Sequence, residues 1–285
     1  MNKGGSLINF GELSKPATVL IEKISEATGG IFRPYQIRRV AQAEAEAEKI
    51  KAVAQIEIEE LQRRALHRFL NEEAKKQNNI ESITQKALPA VEEKARPQEI
   101  ENDWITNFYD KCRLISDEEM QNLWSKVLAG QANKPGKFSK RTVNLLASLD
   151  KTDAELFRSL CSFVWFLEDE PLAMVYRLDD HVCAKAGIHH YMLEHLQSLG
   201  LIYFERGLNT YGKHNQPAQI VVVQGETRAS VKFQKPGKNE FVTGKVFLSK
   251  AGQELAQVCN PVFLDDFKNN VLDWWKRYHY TVSEI

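Results

Sequence analysis

The sequence predicts a mainly α protein with a long N-terminal helix, a helical middle domain and a winged-helix-like α+β module near the C-terminus. Three observations lead to this fold class: a glycine-free and proline-free stretch of strong helix formers, repeated capping signals before apolar helical stripes, and strand-like runs after residue 200. We expect an amphipathic helix and turn over 1–36, a long charged helix and hinge over 37–96, a helical domain over 97–178, a winged-helix-like domain over 179–258 and an aromatic helix over 259–285.

Composition limits the classes of function. Basic and acidic residues both number 38, so no overall field draws this chain of 285 residues to nucleic acid or to an anionic membrane. Wholly apolar runs, such as residues 163–167, are far shorter than the roughly 20 residues of a membrane-spanning helix. No signal-peptide pattern follows Met1. We therefore expect a cytoplasmic protein whose four widely spaced cysteines are buried, reduced thiols.

The first helix is predicted by its boundary residues. Ser14 is a candidate N-cap, Pro16 suits the first turn, and Leu20 and Ile24 belong to one apolar stripe that ends at Gly29. This stripe packs on the rest of the protein, or it makes a peripheral contact with a membrane or a partner.

A long helix is predicted between residues 37 and 88. Its apolar residues recur every eleven positions, which favours a nearly straight or right-handed bundle over a heptad coiled coil. A helix of about 50 residues spans about 75 Å, more than one domain of this size covers, so we expect a homo-oligomer. The alternative is a helix packed only on its own chain. The candidate oligomer stripe consists of Ile50, Ala54, Ile58, Leu61, Ala65 and Phe69.

Residues 43–57 resemble the alanine- and glutamate-rich helices of flotillin and stomatin proteins, which assemble on membranes. This resemblance, together with the amphipathic first helix, implies a membrane-associated scaffold as one alternative function.

In the middle segment, capping boxes at 116–119 and 152–155 and a cap at Ser139 predict successive short helices. The order of Asp-Trp at 103–104, Ser-Asp-Glu-Glu-Met-Gln-Asn-Leu-Trp at 116–124, Leu-Ala-Gly at 128–130 and Pro-Gly-Lys-Phe-Ser-Lys-Arg-Thr at 135–142 resembles an uncharacterised bacterial family of unknown function. Gln131 departs from the acidic residue expected there. A loose similarity to abortive-infection-type helical proteins implies a place in antiphage defence.

We interpret the signature residues Asp103, Trp104, Trp124 and Arg141 as structural. An ion pair between Asp103 and Arg141 is the specific hypothesis, and the capping roles of the neighbouring polar residues favour structure over catalysis.

The C-terminal part follows the order of a winged helix, with two short helices over 179–202, a β wing and a final helix near 249. The second helix lacks lysine and arginine, whereas the wing carries a candidate nucleic-acid patch. This patch consists of Arg228, Lys232, Lys235, Lys238 and Lys245. A solvated hairpin is the alternative, and a protein partner is the role that we prefer for the module.

No catalytic, metal or cofactor site is predicted. His189, His190 and His195 lack the i, i+4 spacing of a helical zinc pair, and no nucleophile or phosphate-loop motif is present. The tail aromatics, which include Trp274 and Trp275, bury against their own domain or anchor a partner. We expect a non-enzymatic, oligomeric sensor, adaptor or effector subunit, with a DNA-binding winged-helix regulator and a membrane-associated scaffold as alternatives.

Overall fold

The computed structural model describes residues 13–28, 60–207 and 210–285. The chain forms two compact units, and the boundary between them lies between Val143 and Asn144. That boundary falls inside a short helix, Lys140–Ala147, so each unit contains part of it.

The regular elements described in the first unit are α-helices and 3-10 turns. Its elements are α1 (Lys15–Ala27), α2 (Glu60–Ala87), 3-10 turns at Leu88–Ala90 and Pro97–Glu99, α3 (Asn102–Cys112), α4 (Glu118–Asn133) and the first part of α5 (Lys140–Ala147). Helix α1 packs on α3 and on the second 3-10 turn.

Side-chain caps begin three of these helices. Ser14 Oγ accepts a hydrogen bond from the Ala17 amide at 3.3 Å, and Ser139 Oγ accepts one from the Thr142 amide at 3.2 Å, which confirms both predicted caps. The predicted cap of α4 is wrong by one residue. The carboxylate of Asp117, instead of the Ser116 hydroxyl, accepts from the backbone N–H three residues on, at 3.0 Å.

Aromatic rings fill the core of the first unit. The Phe108 ring lies 5.1 Å from the rings of both Trp104 and Trp124, and Trp124 is fully buried. The indole N–H of Trp104 donates to the Phe138 carbonyl at 2.7 Å, which ties α3 to the turn before α5. A side chain at Gly130 would lie 2.8 Å from the Phe138 ring, so this close approach requires glycine.

In its described residues, the second unit combines helices with nine strands. After the last part of α5 come α6 (Lys151–Cys161), β1 (Val164–Leu167), β2 (Glu170–Ala173), α7 (His181–Lys185), α8 (His190–Ser198), β3 (Ile202–Phe204), β4 (Tyr211–Gln216), β5 (Gln219–Gln224), β6 (Thr227–Lys232), β7 (Asn239–Gly244), β8 (Val246–Leu248), α9 (Lys250–Ala256), α10 (Asp265–Arg277) and β9 (Thr281–Glu284).

A five-stranded antiparallel sheet organises this unit in the order β2-β1-β5-β6-β9. Helix α10 packs on the core of the unit through Phe267, Val271 and Trp275, all with no exposed surface. The Trp275 ring lies 5.1 Å from that of Trp165 on β1. The last strand returns to pair with β6, where Val282 lies opposite Val231.

The predicted mainly α fold class is therefore wrong, and the chain is a mixed α+β protein. The run Val164–Leu167 lies within the predicted helical domain over 97–178, and an apolar run this short fits a helix or a buried strand equally well. Its antiparallel pairing with β2 and β5 makes it a strand.

The predicted winged-helix order is found only in part. β3 and β8 pair as a hairpin of a wing would, with Tyr203 opposite Phe247. The chain between them does not form a simple wing, because β4 pairs with β7 while β5 and β6 join the larger sheet with β1 and β9.

Candidate interaction surfaces

The N-terminal half of α2 presents apolar side chains to solvent. Leu61 is 67% exposed and Phe69 is 57% exposed, and Ala65 between them is also exposed. With 3.6 residues per turn, these three positions share a helix face with Ile80 and Ile83, which are buried in the first unit. One apolar stripe thus runs along α2, covered at its C-terminal end and open at its N-terminal end.

Charged residues flank the open part of this stripe. Arg68 Nε lies 3.7 Å from Glu72 Oε1, and Arg64 Nε lies 3.9 Å from Glu60 Oε1. All four side chains are more than half exposed. Exposed pairs within one helix contribute only a few tenths of a kcal/mol, so they exchange readily for pairs with another chain.

The other predicted stripe residues, Ile50, Ala54 and Ile58, lie outside the described residues. The apolar face of α1, by contrast, is already covered, since Leu20 and Ile24 are fully buried. Among the helices that the structure describes, none has the length and apolar content needed to cross a membrane.

The predicted cationic patch is only partly assembled. Lys232, Lys235 and Lys238 are all exposed, at the end of β6 and in the loop that follows it. The side-chain amide of Asn239 holds this loop by donating to the Lys235 carbonyl at 3.0 Å and to the carbonyls of Gln216 and Pro217 at 3.3 and 3.0 Å.

The remaining two cations of the patch lie apart from these lysines. Arg228 is exposed at the opposite end of β6. Lys245 lies between β7 and β8, and its ammonium group donates to the Gly207 carbonyl. The geometry therefore supports a smaller cluster of three lysines, which we call the lysine loop.

The signature residues serve mainly to build the first unit. Trp104 and Trp124 lie in its core, whereas Arg141 is exposed. The hypothesis of an Asp103–Arg141 ion pair is wrong in its cation, because Lys140 Nζ lies 3.3 Å from Asp103 Oδ2. Gln131, the residue that departs from the family pattern, is buried and accepts a hydrogen bond from the Phe138 amide at 2.9 Å.

His195 pairs with a carboxylate in the second unit. His195 Nε2 lies 2.6 Å from Asp153 Oδ1 and links α8 to α6. Burial raises the pKa of Asp153, but hydrogen bonds from His195 and from the Asp150 amide outweigh it, so the net pKa is lowered. The Asp150–Asp153 bond is also the cap of α6, two residues before the predicted box at 152–155.

His189 and His190 take structural roles close by. His189 Nδ1 accepts from the Met192 amide at 3.2 Å, and the His190 ring packs against Phe204. Over the described parts of the chain, no group of three or more His, Cys, Asp or Glu side chains is placed to hold a metal ion.

The tail aromatics bury mostly within their own unit. Trp275 donates to the Tyr176 hydroxyl at 2.8 Å, and Trp274 donates to Asp180 Oδ2 at 2.9 Å. The exposed apolar residues near this helix are instead Val262 and Phe263, which precede it and are 70% and 45% exposed.

Burial raises the pKa of the Cys161 thiol, at the end of α6, well above its usual value, and the electrostatic influence of Cys259 raises it further.

Comparison with protein families identifies the chain. A family model described as a protein of unknown function, DUF2806, matches residues 63–272. The chain therefore belongs to the DUF2806 family, a family of unknown function. No curated protein and no solved structure matches the chain.

Proposed function

We propose that this protein acts as a non-catalytic assembly subunit, in which two copies pair through the open half of α2. The observation that carries the proposal is the exposure of Leu61 and Phe69 on the same helix face that buries Ile80 and Ile83. Large apolar side chains aligned along one helix face are typical of helix-to-helix contacts between chains.

A second copy of the chain suits this surface because the surface complements itself. On the open half of α2, Arg68 lies one turn before Glu72. In an antiparallel pair whose two-fold axis passes near residue 70, Arg68 of each copy faces Glu72 of the other, and both Phe69 rings lie near the axis.

The open half of α2 is short for a stable interface. Residues 60–76 span only about 25 Å, and the described apolar side chains alone bury less than a typical dimer needs. In the sequence, however, the same apolar spacing continues upstream through Ile58, Ala54 and Ile50. This continuation supports a longer contact between the two copies.

The oligomeric state of the full chain tests the proposal. Sedimentation velocity should give a mass of twice the 32.6 kDa of one chain at micromolar concentration. Arg68→Glu should weaken pairing roughly tenfold by placing like charges opposite each other, and the double variant Arg68→Glu/Glu72→Arg should restore it. Lys94→Glu, an exposed change of the same charge outside α2, is the matched control.

Two results would count against the proposal. A single-chain mass at all concentrations would exclude self-assembly. A dimer that is equally stable in Arg68→Glu and in the double variant would exclude the antiparallel α2 interface. The wider setting that we propose, antiphage defence, is supported only by the resemblance of the sequence, and phage plating on cells with and without the chain tests it.

Nucleic-acid binding at the lysine loop is a second candidate function. It is supported by three exposed lysines on a loop that Asn239 holds in place. Binding to a DNA duplex should weaken steeply with salt, and replacing Lys232, Lys235 and Lys238 together by glutamine should remove most of that salt dependence. If the triple variant binds the duplex as tightly as the wild type does, the lysine loop is not the binding site.

A further inference from the structure

Four aromatic side chains of the second unit lie next to one another and border solvent. They come from α10, from the turn that follows it and from the start of the lysine loop, and we call them the aromatic row: Trp274, Tyr278, Tyr280 and Phe233. Along the row, consecutive ring centroids lie 6.2, 6.0 and 5.0 Å apart. All four side chains are partly exposed, so the row meets solvent along its length.

The turn at the end of α10 brings the two tyrosines of the row together. His279 has a left-handed φ of +61° just after the helix, and the Tyr280 amide donates to the Trp275 carbonyl at 3.0 Å, which closes the helix end. The Tyr280 hydroxyl donates to the Glu240 carbonyl at 2.8 Å and accepts from the Val242 amide at 3.1 Å. The middle of the row is therefore held in place by hydrogen bonds to the backbone.

The rings of the row leave part of their faces uncovered by one another. The planes of Tyr278 and Tyr280 differ by 27°, and those of Trp274 and Tyr278 differ by 33°. Nearly parallel rings with centroids about 6 Å apart are offset, because carbon atoms in direct contact are only about 3.5–4 Å apart. Tyr176, which is buried, packs against Trp274 from the interior at 5.3 Å. A flat ligand can therefore stack on the row from the solvent side.

Cations border the aromatic row at both ends. At one end, the guanidinium carbon of Arg277 lies 4.7 Å from the centre of the Trp274 ring, and Arg277 is exposed. At the other end, the exposed Lys232 and Lys235 flank Phe233 in the sequence. Arginine and lysine next to aromatic rings are the combination that binds the phosphates and the bases of an unpaired strand.

The acidic side chains around the row are engaged by other groups. Asp180 Oδ2 accepts from Trp274 Nε1 at 2.9 Å, and Asp273 Oδ1 lies 3.1 Å from Lys276 Nζ. Glu240 Oε1 lies 3.9 Å from an imidazole nitrogen on the neighbouring strand β4. An excess of positive charge therefore remains beside the row.

We propose that the aromatic row and the lysine loop together form a binding site for single-stranded nucleic acid. Unpaired bases stack on the rings while the phosphates contact the cations at either end, and this stacking needs no particular sequence because every base has a π face. In a duplex the bases stack on one another, so a duplex contacts the lysines and leaves the row unused. The proposal rests on the nucleic-acid candidate function given above and names its substrate.

Equilibrium binding of fluorescently labelled oligonucleotides to the full chain tests the site. The probes are a thymidine and a uridine oligonucleotide of about 15 nucleotides and a DNA duplex of the same length. A single strand should bind at least about tenfold more tightly than the duplex, which is the contribution of one stacked base. Comparison of the two single strands tells DNA from RNA, since they differ in the 2′-hydroxyl group.

One tyrosine of the row separates stacking from charge. Tyr278→Leu keeps an apolar side chain but removes the ring, so it should weaken single-strand binding about five- to a hundredfold and leave the salt dependence unchanged. Tyr278→Phe keeps the ring and should bind like the wild type. Tyr191→Leu, which removes an 82% exposed tyrosine of α8, is the matched control. Urea unfolding shows which variants retain the fold.

The outcomes distinguish this proposal from the candidate function on which it rests. If the duplex binds as tightly as either single strand, and Tyr278→Leu changes neither affinity, the row is not a binding site, although binding at the lysine loop stands. If none of the three probes binds, both ideas fail. A folded Tyr278→Leu variant that binds single strands like the wild type would also overturn the proposal. Binding of only one kind of single strand, weakened by Tyr278→Leu and retained by Tyr278→Phe, would support it.

Discussion

Replacing Phe69 by alanine should weaken self-association strongly while leaving the single folded chain intact. Phe69 is 57% exposed, and a phenylalanine presents about 200 Å² of surface, so about 110 Å² is open to a partner. Burial at about 25 cal/mol per Å² contributes nearly 3 kcal/mol, of which alanine keeps roughly a third. A two-fold dimer contains two copies of this side chain, so the variant should lose about 4 kcal/mol of association free energy.

A loss of this size corresponds to roughly a thousandfold rise in the dissociation constant. Sedimentation velocity over a concentration series measures it, and chemical denaturation of the dilute protein checks that the fold is intact. His67→Ala is the matched control, because His67 is exposed on the opposite side of the same helix. A Phe69→Ala variant that associates within threefold of the wild type would show that this face is not the interface.

Three further predictions concern the second unit. The net pKa of Asp153 is lowered, so the stability that its carboxylate provides is complete above the unfolded value near 4 and is lost as the pH falls through the folded pKa. Urea midpoints at pH 3 to 6 should show this loss in the wild type, and a matching loss in Asp153→Asn would contradict it. Gly252→Ala should cost about 2–3 kcal/mol, because its Cβ would lie 2.0 Å from a backbone carbonyl oxygen. Gly237→Ala, with open space around it, is the control and should cost well under half as much. Lys238 has a φ of +56°, so Lys238→Gly should stabilise the chain by up to about 1 kcal/mol, and a lower urea midpoint would refute this.

Local signals in the sequence predicted local structure well. Ser14 and Ser139 cap their helices because the hydroxyl and the amide that it binds are three residues apart. Trp104 and Trp124 were predicted as structural residues, and both lie in the core. Even the error at Ser116 is small, since the neighbouring Asp117 offers the same kind of acceptor.

No local pattern in the sequence predicted which distant segments pair with each other. β1 has only four residues, and it is a strand because it pairs with other strands. Phe166 of β1 lies opposite Val223 of β5, which is more than 50 residues further along the chain. The predicted cationic patch is only partly assembled for the same reason, because sequence distance did not show that Lys245 would turn toward Gly207.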